Sequence, residues 1–284
     1  MKAETKKERN DRKVIVTGAT GFVGRHLIPL LLEKGYIVIA VARDSNKAKK
    51  FDWFAKVQFV AIDLYKEQLN LPNCYDFKLI HLAWGGLPNY KANFHFEVNL
   101  KKDYEFIKKL VGQGVAQVLV TGTCAEYGMQ NGPLASTTQT SPNTAYALAK
   151  DCLRKFLELL SNESPFTLQW ARLFYMYGEG QNSRSVLPQL DSAIDSGRAG
   201  FDMSGGEQIR DYLSVDDVAK SILELFESES KGTFNICSGK PITVRRLVDE
   251  RIKQRGANIK LNLGYYPYPD YEPLAFWGIP DIKV

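Results

Sequence analysis

The chain has 284 residues, 44% hydrophobic and 24% charged, with a formal net charge of +5 at pH 7. That length holds one large domain or two coupled ones, and the composition is that of an ordinary globular protein. No apolar run reaches the ~20 residues of a membrane span. Met1–Lys13 carries six Lys or Arg against three acids, which is +3 of the +5, so the remaining charge gives no case for nucleic acid as a partner.

Met1–Lys13 lacks the apolar stretch of a signal peptide, and residues 1–12 read as a solvated lead-in. Val14–Gly18 predicts the first strand. It runs into Gly18-Ala19-Thr20-Gly21-Phe22-Val23-Gly24, a G-x-x-G-x-x-G loop that opens a helix over Val23–Glu33. Glycines there allow a tight turn and close approach of the backbone to a pyrophosphate, and the helix N-terminus offers N–H groups to it. Tight turning alone would use the same glycines; their place between first strand and helix makes the loop a dinucleotide cradle.

The second strand, Tyr36–Ala42, ends in Arg43-Asp44-Ser45. An arginine here favours the 2′-phosphate of NADP, whereas Asp44 turned inward would bind the ribose of NAD. Arg43 comes first, which points to NADP (NADPH) over NAD. Gln58–Ile62 is the third strand, followed by Asp63 and Leu64; Asp63 either contacts the adenine amine or makes a turn. Leu79–Ala83 is the fourth, bringing Leu82, Ala83 and Trp84 to a strand end. Trp84 there either shapes a substrate pocket or packs in the core.

A helix is expected over Phe94–Val111, then the strand Gln117–Thr121 with Thr123 just beyond it. A helix over Ala145–Leu160 carries Tyr146 and Lys150, one turn apart on one face. Leu148, Cys152, Phe156 and Leu159 read as the stripe that buries it. A free tyrosine has a pKa near 10, and a fixed cation beside it lowers that value toward useful acid–base range. A Tyr-xxx-Lys pair alone means little; Thr123, 23 residues earlier at a buried strand end, adds a hydroxyl for the same substrate oxygen.

Thr167–Arg172 is the last predicted strand of this series, and Asp216–Glu227 an amphipathic helix. Strand–helix alternation predicts an α/β fold, a doubly wound parallel sheet of Rossmann type. The dinucleotide-binding domain is expected over 13–175, with 205–235 returning to it. Residues 176–204 and 236–284 form a smaller, mixed substrate-binding region. Cysteines 74, 124, 152 and 237 are scattered without metal-ligand spacing, which predicts reduced thiols, no metal and a cytoplasmic setting.

Together these motifs resemble the extended short-chain dehydrogenase/reductases, the NAD-dependent epimerase/dehydratase group acting on nucleotide sugars. The resemblance runs from Val14 to about Val244. It rests on the glycine loop, Asp63, His81-Leu82-Ala83, Thr123 with Tyr127-Gly128, Tyr146 with Lys150, and Arg172-Leu173-Phe174 with Tyr177-Gly178. Gln208, Arg210-Asp211-Tyr212, Val215-Asp216-Asp217-Val218 and Phe234-Asn235-Ile236 extend it.

The resemblance implies that Tyr146 is the acid/base, Lys150 holds the cofactor ribose and tunes Tyr146, and Thr123 orients the reacting oxygen. Arg210 would pair with the substrate diphosphate, its alternative being an ion pair with Asp211 or Asp216. Tyr175 stands where the group often has an asparagine that contacts the diphosphate, so it either binds through its hydroxyl or packs. The base is expected near Leu187-Pro188 and Phe201–Met203.

Dehydratases of the group carry two acids after the catalytic threonine; Cys124-Ala125 stand there instead, and Glu126 should face away. Arg43 and the short C-terminal region then favour an NADPH-dependent 4-ketoreductase of a nucleotide-linked 4-keto-6-deoxy sugar. The best match is the reduction of dTDP-4-keto-6-deoxyglucose to dTDP-fucose. An NAD-dependent epimerase and a non-catalytic NADP sensor are the alternatives. The resemblance also implies a homodimer through a bundle of helices Phe94–Val111 and Ala145–Leu160.

Overall fold

The computed structural model describes residues 12–67 and 75–282. The expected lead-in up to Asp11, and Cys74, lie outside the described residues. The first half runs β1 (Lys13–Thr17), α1 (Gly24–Glu33), β2 (Ile37–Ala42), the single turn α2 (Ser45–Ala48), β3 (Gln58–Ala61), β4 (Phe77–His81), α3 (Leu100–Gly112), β5 (Gln117–Thr123), β6 (Gly132–Leu134) and α4 (Ala145–Glu163). The second half runs β7 (Thr167–Leu173), β8 (Tyr175–Tyr177), α5 (Val186–Asp195), β9 (Gly200–Asp202), β10 (Ile209–Ser214), α6 (Val215–Glu227), β11 (Gly232–Ile236), β12 (Pro241–Thr243), α7 (Val244–Gln254), β13 (Lys260–Asn262) and β14 (Phe276–Gly278).

Seven parallel strands form the main sheet in the order β11-β7-β5-β4-β1-β2-β3. Their apolar runs have no polar alternation because both faces are covered. Leu27, Ile28 and Leu31 of α1 and Val218 and Ile222 of α6 cover one face. Ile107 and Leu110 of α3 and Leu153 and Leu157 of α4 cover the other. Each fully buried aliphatic side chain contributes roughly 1.5–3 kcal/mol. The strand order reverses direction between β1 and β4, and the C-terminal ends of these two strands flank the crevice where such sheets bind ligands.

The smaller region is knitted from short strands. β10 pairs with β8 in parallel and with β12 antiparallel. β9 pairs with β13, and β14 reaches back to β6. The carboxylate of Asp191 on α5 takes a two-pronged grip from Arg251 on α7 at 2.9 and 2.8 Å.

Two helices differ from the sequence expectation. The helix expected from Phe94 begins as a π-helical turn, His95–Asn99, before α3. On α4 the buried face is Tyr146, Ala149, Lys150, Leu153, Leu157 and Leu160. The expected stripe points outward instead, with Leu148 and Phe156 44% and Leu159 64% exposed. Both stripes have helical spacing; the helix turns its Tyr146–Lys150 side to the sheet because β5 and Trp84 offer partners for those polar tips.

Candidate active site

The glycine loop sits at the switch between β1 and β4. Gly18 has φ +68°, and a Cβ there would lie 2.9 Å from the Ala83 nitrogen and 3.0 Å from the Leu82 carbonyl carbon. A Cβ on Gly24 would collide with the Gly18 and Ala19 oxygens, so the third glycine is what lets α1 start against the loop. Gly21 closes the turn by donating to the Gly18 carbonyl at 2.8 Å. No side chain caps α1; the Arg25 and His26 N–H groups close onto the Gly21 and Val23 carbonyls, and the positive end of the helix dipole points at the loop formed with Thr20, Phe22 and Val23. These residues fit a dinucleotide pyrophosphate.

Beyond β2, Asp44 caps α2 by accepting from the Lys47 N–H at 3.0 Å. Its carboxylate is therefore engaged locally, while Arg43 is exposed. Burial, then the charge of Arg25, then that of Arg43, hold the Lys47 ammonium below its usual range, against the pull of Asp44. Arg25, Arg43 and Lys47 thus lie within reach of one another's charge beyond β2. Asp63 makes the turn: its Oδ1 accepts from the Tyr65 N–H at 3.1 Å. Leu64 beside it is buried.

Thr123, Tyr146 and Lys150 meet at the end of β5. Thr123 is the N-cap of a 3₁₀ turn, Cys124–Tyr127, and closes a reciprocal capping box with Glu126. Its hydroxyl oxygen accepts from the Ala125 N–H at 3.2 Å, so its own proton is left to donate. The phenol of Tyr146 lies within hydrogen-bonding reach of that hydroxyl. Thr144 caps α4, and the Tyr146 N–H donates to the Tyr90 carbonyl at 3.0 Å.

Burial pushes the Tyr146 phenol well up, and its contact with Thr123 is what pulls it down. Lys150 donates to the Thr121 carbonyl at 2.8 Å. Its ammonium also sits 4.1 Å from the centre of the Trp84 ring. Trp84 lies at 5.9 Å and edge-on to Tyr146, and it also packs against the core cluster of Leu153, Leu157 and Trp170.

Glu126 does face away. Its carboxylate accepts from the Thr123 N–H at 2.9 Å, from the Trp170 indole, and from the buried Arg172 at 2.7 Å. Cys124 and Ala125 hold the two positions directly after Thr123, with Cys124 buried in a cluster with Tyr127, Leu134, Phe174, Cys237 and Phe276. Burial pushes the Cys124 thiol well above its usual range.

Arg210 pairs with neither of the expected acids. Its Nη2 donates to Glu272 at 3.0 Å, its Nε to the Tyr175 hydroxyl at 3.3 Å, and its Nη1 to the carbonyls of Ile209 and Leu274. Asp211 is occupied by the Ser238 and Gly239 N–H groups, and Asp216 by His26. Tyr175 is thus an Arg210 partner, with Phe276 packed on its ring. Sequence reasoning singled out the segments His81–Tyr90 and Pro267–Gly278 as similar to reductases of the group but named no role for Tyr90, Tyr271 or Glu272 within them, and it missed His95; Glu272 meets Arg210, and Tyr90 lies between the rings of Tyr146 and Tyr271. The expected base segments border a cleft of about 230 Å³ lined by Pro188, Gln189, Arg198, Phe201, Asp202 and Tyr266.

A parallel sheet with a glycine cradle at its switch point and a threonine–tyrosine–lysine centre beside it defines a nucleotide-dependent redox enzyme. Residues 14–237 match the NAD dependent epimerase/dehydratase family, and the chain belongs to it. It is an NAD(P)-dependent enzyme of sugar-nucleotide chemistry, in the extended short-chain dehydrogenase/reductase class. The dTDP-6-deoxy-L-talose 4-dehydrogenase (NAD(+)) of Aggregatibacter actinomycetemcomitans is 31% identical over 275 residues, 93% of this chain and 98% of that protein. The dTDP-4-dehydro-6-deoxyglucose reductase of Escherichia coli is 25% identical over 252 residues, 83% of this chain and 79% of that protein. In structure, UDP-N-acetylglucosamine 4-epimerase from Methanobrevibacter ruminantium M1 superposes with a TM-score of 0.81 at 24% identity, covering 93% of this chain and 89% of that one. That likeness shows the shared fold. Among the described residues no helix is long and apolar enough to cross a membrane.

Proposed function

We propose that this protein reduces the C4 keto group of a nucleotide-activated 4-keto-6-deoxy sugar, with dTDP-4-keto-6-deoxyglucose the best candidate and dTDP-fucose the product. The observation that carries the reading is the turn after Thr123. The two positions directly after Thr123 are Cys124 and Ala125, and the one acid of the turn, Glu126, is spent on Arg172, Trp170 and the Thr123 N–H. Water loss needs a second acid–base pair; carbonyl reduction needs only one proton donor. The 31% and 25% relatives support the substrate class, since both names describe redox chemistry of dTDP-linked 6-deoxyhexoses.

A bound nicotinamide supplies the hydride. Tyr146 gives its proton to the C4 oxygen, and burial, which favours the neutral phenol, keeps that proton in place until the oxygen becomes basic. The Thr123 hydroxyl donates to the same oxygen, and Lys150 stabilises negative charge as it develops. Arg210 faces the diphosphate, with Tyr175 behind it, and the cleft at Pro188 and Phe201 takes the base.

The cofactor in this reading is NADPH, supported by the Arg25, Arg43 and Lys47 cluster and by the engagement of Asp44. A second reading, favoured by the 31% relative, is an NAD-linked 4-dehydrogenase of a dTDP-6-deoxyhexose, the same chemistry with another cofactor and product. The unpaired thiols of Cys124, Cys152 and Cys237 support a cytoplasmic setting. The exposed Leu148, Phe156 and Leu159 of α4, with Phe96 and Val98 before α3, support a homodimer through these helices.

The deciding experiment incubates the protein with a panel of nucleotide 4-keto-6-deoxy sugars and either NADPH or NADH, identifying products by NMR. Stoichiometric NADPH consumption with a C4 alcohol as product is the expected result. Interconversion of C4 epimers without net cofactor use would make it an epimerase.

A further inference from the structure

Trp84 is gripped on its edge and loaded on its face. Its indole N–H donates to Nδ1 of His95 at 3.0 Å. An indole nitrogen only donates, so Nδ1 must accept, and the ring proton sits on Nε2, which donates to the Asn89 carbonyl at 3.0 Å. His95 is fully buried, and burial holds its pKa below the usual range, so both nitrogens are settled in the neutral ring. The two rings stack with 19° between planes.

The π-helical turn His95–Asn99 is what aims this histidine at the indole. Asn99 from the same turn donates to the Gly85 carbonyl at 2.9 Å, fixing the backbone just after Trp84.

Against this fixed indole rests the ammonium of Lys150, only 1% exposed. Its hydrogen bond to the Thr121 carbonyl satisfies one of its three protons. A buried ammonium in that state is costly unless something else favours its charge. An aromatic face does so through its quadrupole, most strongly for tryptophan and when water is excluded.

We propose that Trp84 is a positioning residue for Lys150, its indole held by His95 so that it seats the buried ammonium in its charged form beside Tyr146. The other titratable groups facing that ammonium are Asp103 of α3 and Glu126 of the turn after β5, whose charges also favour the cation, and the neutral His95. Among the described residues neither acid forms a salt bridge with it; the aromatic face is the contact at hand. Burial brings Lys150 down to about 8, so loss of a face that favours the charge falls within the range where the enzyme would work. The consequence for turnover rests on the proposed catalytic role of Lys150; the seating itself does not.

The test labels the full-length protein with [13Cε]lysine and follows Lys150, assigned by its absence in Lys150→Arg, through a pH titration. Trp84→Leu should lower the midpoint by about one pH unit, and Trp84→Phe by less. Tryptophans of increasing fluorine content, which weaken the face while nearly keeping its shape, should lower it stepwise. That series covers the case in which Trp84→Leu does not fold. An unchanged midpoint across the fluorinated series would overturn the proposal. The alkaline limb of kcat/KM should move in parallel; if the NMR midpoint moves and that limb stays, the seating stands and the catalytic reading of Lys150 fails.

Discussion

Arg210 and Glu272 meet at 3.0 Å across 62 residues of sequence, and the guanidinium is otherwise filled by the Tyr175 hydroxyl and two carbonyls. A diphosphate that uses this arginine must share it with Glu272. Arg210→Leu is expected to weaken binding of dTDP by roughly 100-fold, as expected for lost charge-assisted hydrogen bonds. Arg210→Lys, which keeps the charge without the fork, should fall between the two. Calorimetric titration with dTDP measures both.

Tyr146→Phe removes one oxygen from a site whose other contacts are aromatic. The expected result is a fall in kcat of roughly 10²–10⁴-fold with cofactor affinity and thermal stability retained. Steady-state assay of NAD(P)H absorbance beside a melting curve checks it; full turnover would remove the phenol from the mechanism.

Arg43 is exposed at the end of β2, beside Arg25 and Lys47. Arg43→Ala should cost NADPH roughly tenfold or more in affinity and leave NADH nearly unchanged. Fluorescence titration with each cofactor decides it. Equal losses would favour the NAD-linked reading.

Glu126 and Arg172 are a buried pair at 2.7 Å. Glu126→Leu leaves the guanidinium without its counter-charge and frees the Thr123 N–H. A loss of about 3–5 kcal/mol in unfolding free energy is expected, read by urea denaturation. The double variant Glu126→Leu with Arg172→Met should recover much of it, because the uncompensated charge is then gone.

The outward stripe of α4 should be covered in solution. Light scattering is expected to give a dimer for the native chain and a monomer for Phe156→Glu combined with Leu159→Glu. A native monomer would reject the interface.

The main sheet was legible because strands buried on both faces are written as unbroken apolar runs, and Val118-Leu119-Val120 could hardly be anything else. The glycine loop was legible because its residues are forced by backbone contact, as the near-collision at Gly18 shows. Thr123, Tyr146 and Lys150 followed from strand end and helix spacing. The phase of α4 was not legible: two stripes share its period, and only tertiary contacts choose between them. Nor was Arg210 with Glu272, because no spacing rule links residues so far apart. The strands β8, β9, β12, β13 and β14 are three residues each, too short to carry a pattern. Helical spacing places Tyr146 and Lys150 on one face but does not say which partner each tip will choose, so the Lys150 contacts with the Thr121 carbonyl and the Trp84 ring were not legible either.

The capping box around Thr123 separates two duties that often compete. Glu126 fastens the turn to Trp170 and Arg172 of β7, so the reacting hydroxyl inherits its position from the core. Cys124 and Ala125 sit between the two ends of that box and contribute no side-chain atom to it. The turn therefore behaves as a socket with a fixed rim. Cys124 packs into the cluster of Tyr127, Leu134, Phe174, Cys237 and Phe276, so Ala125, half-buried, is the position of the two where a side chain can change while the rim and the sheet beneath it stay unaltered.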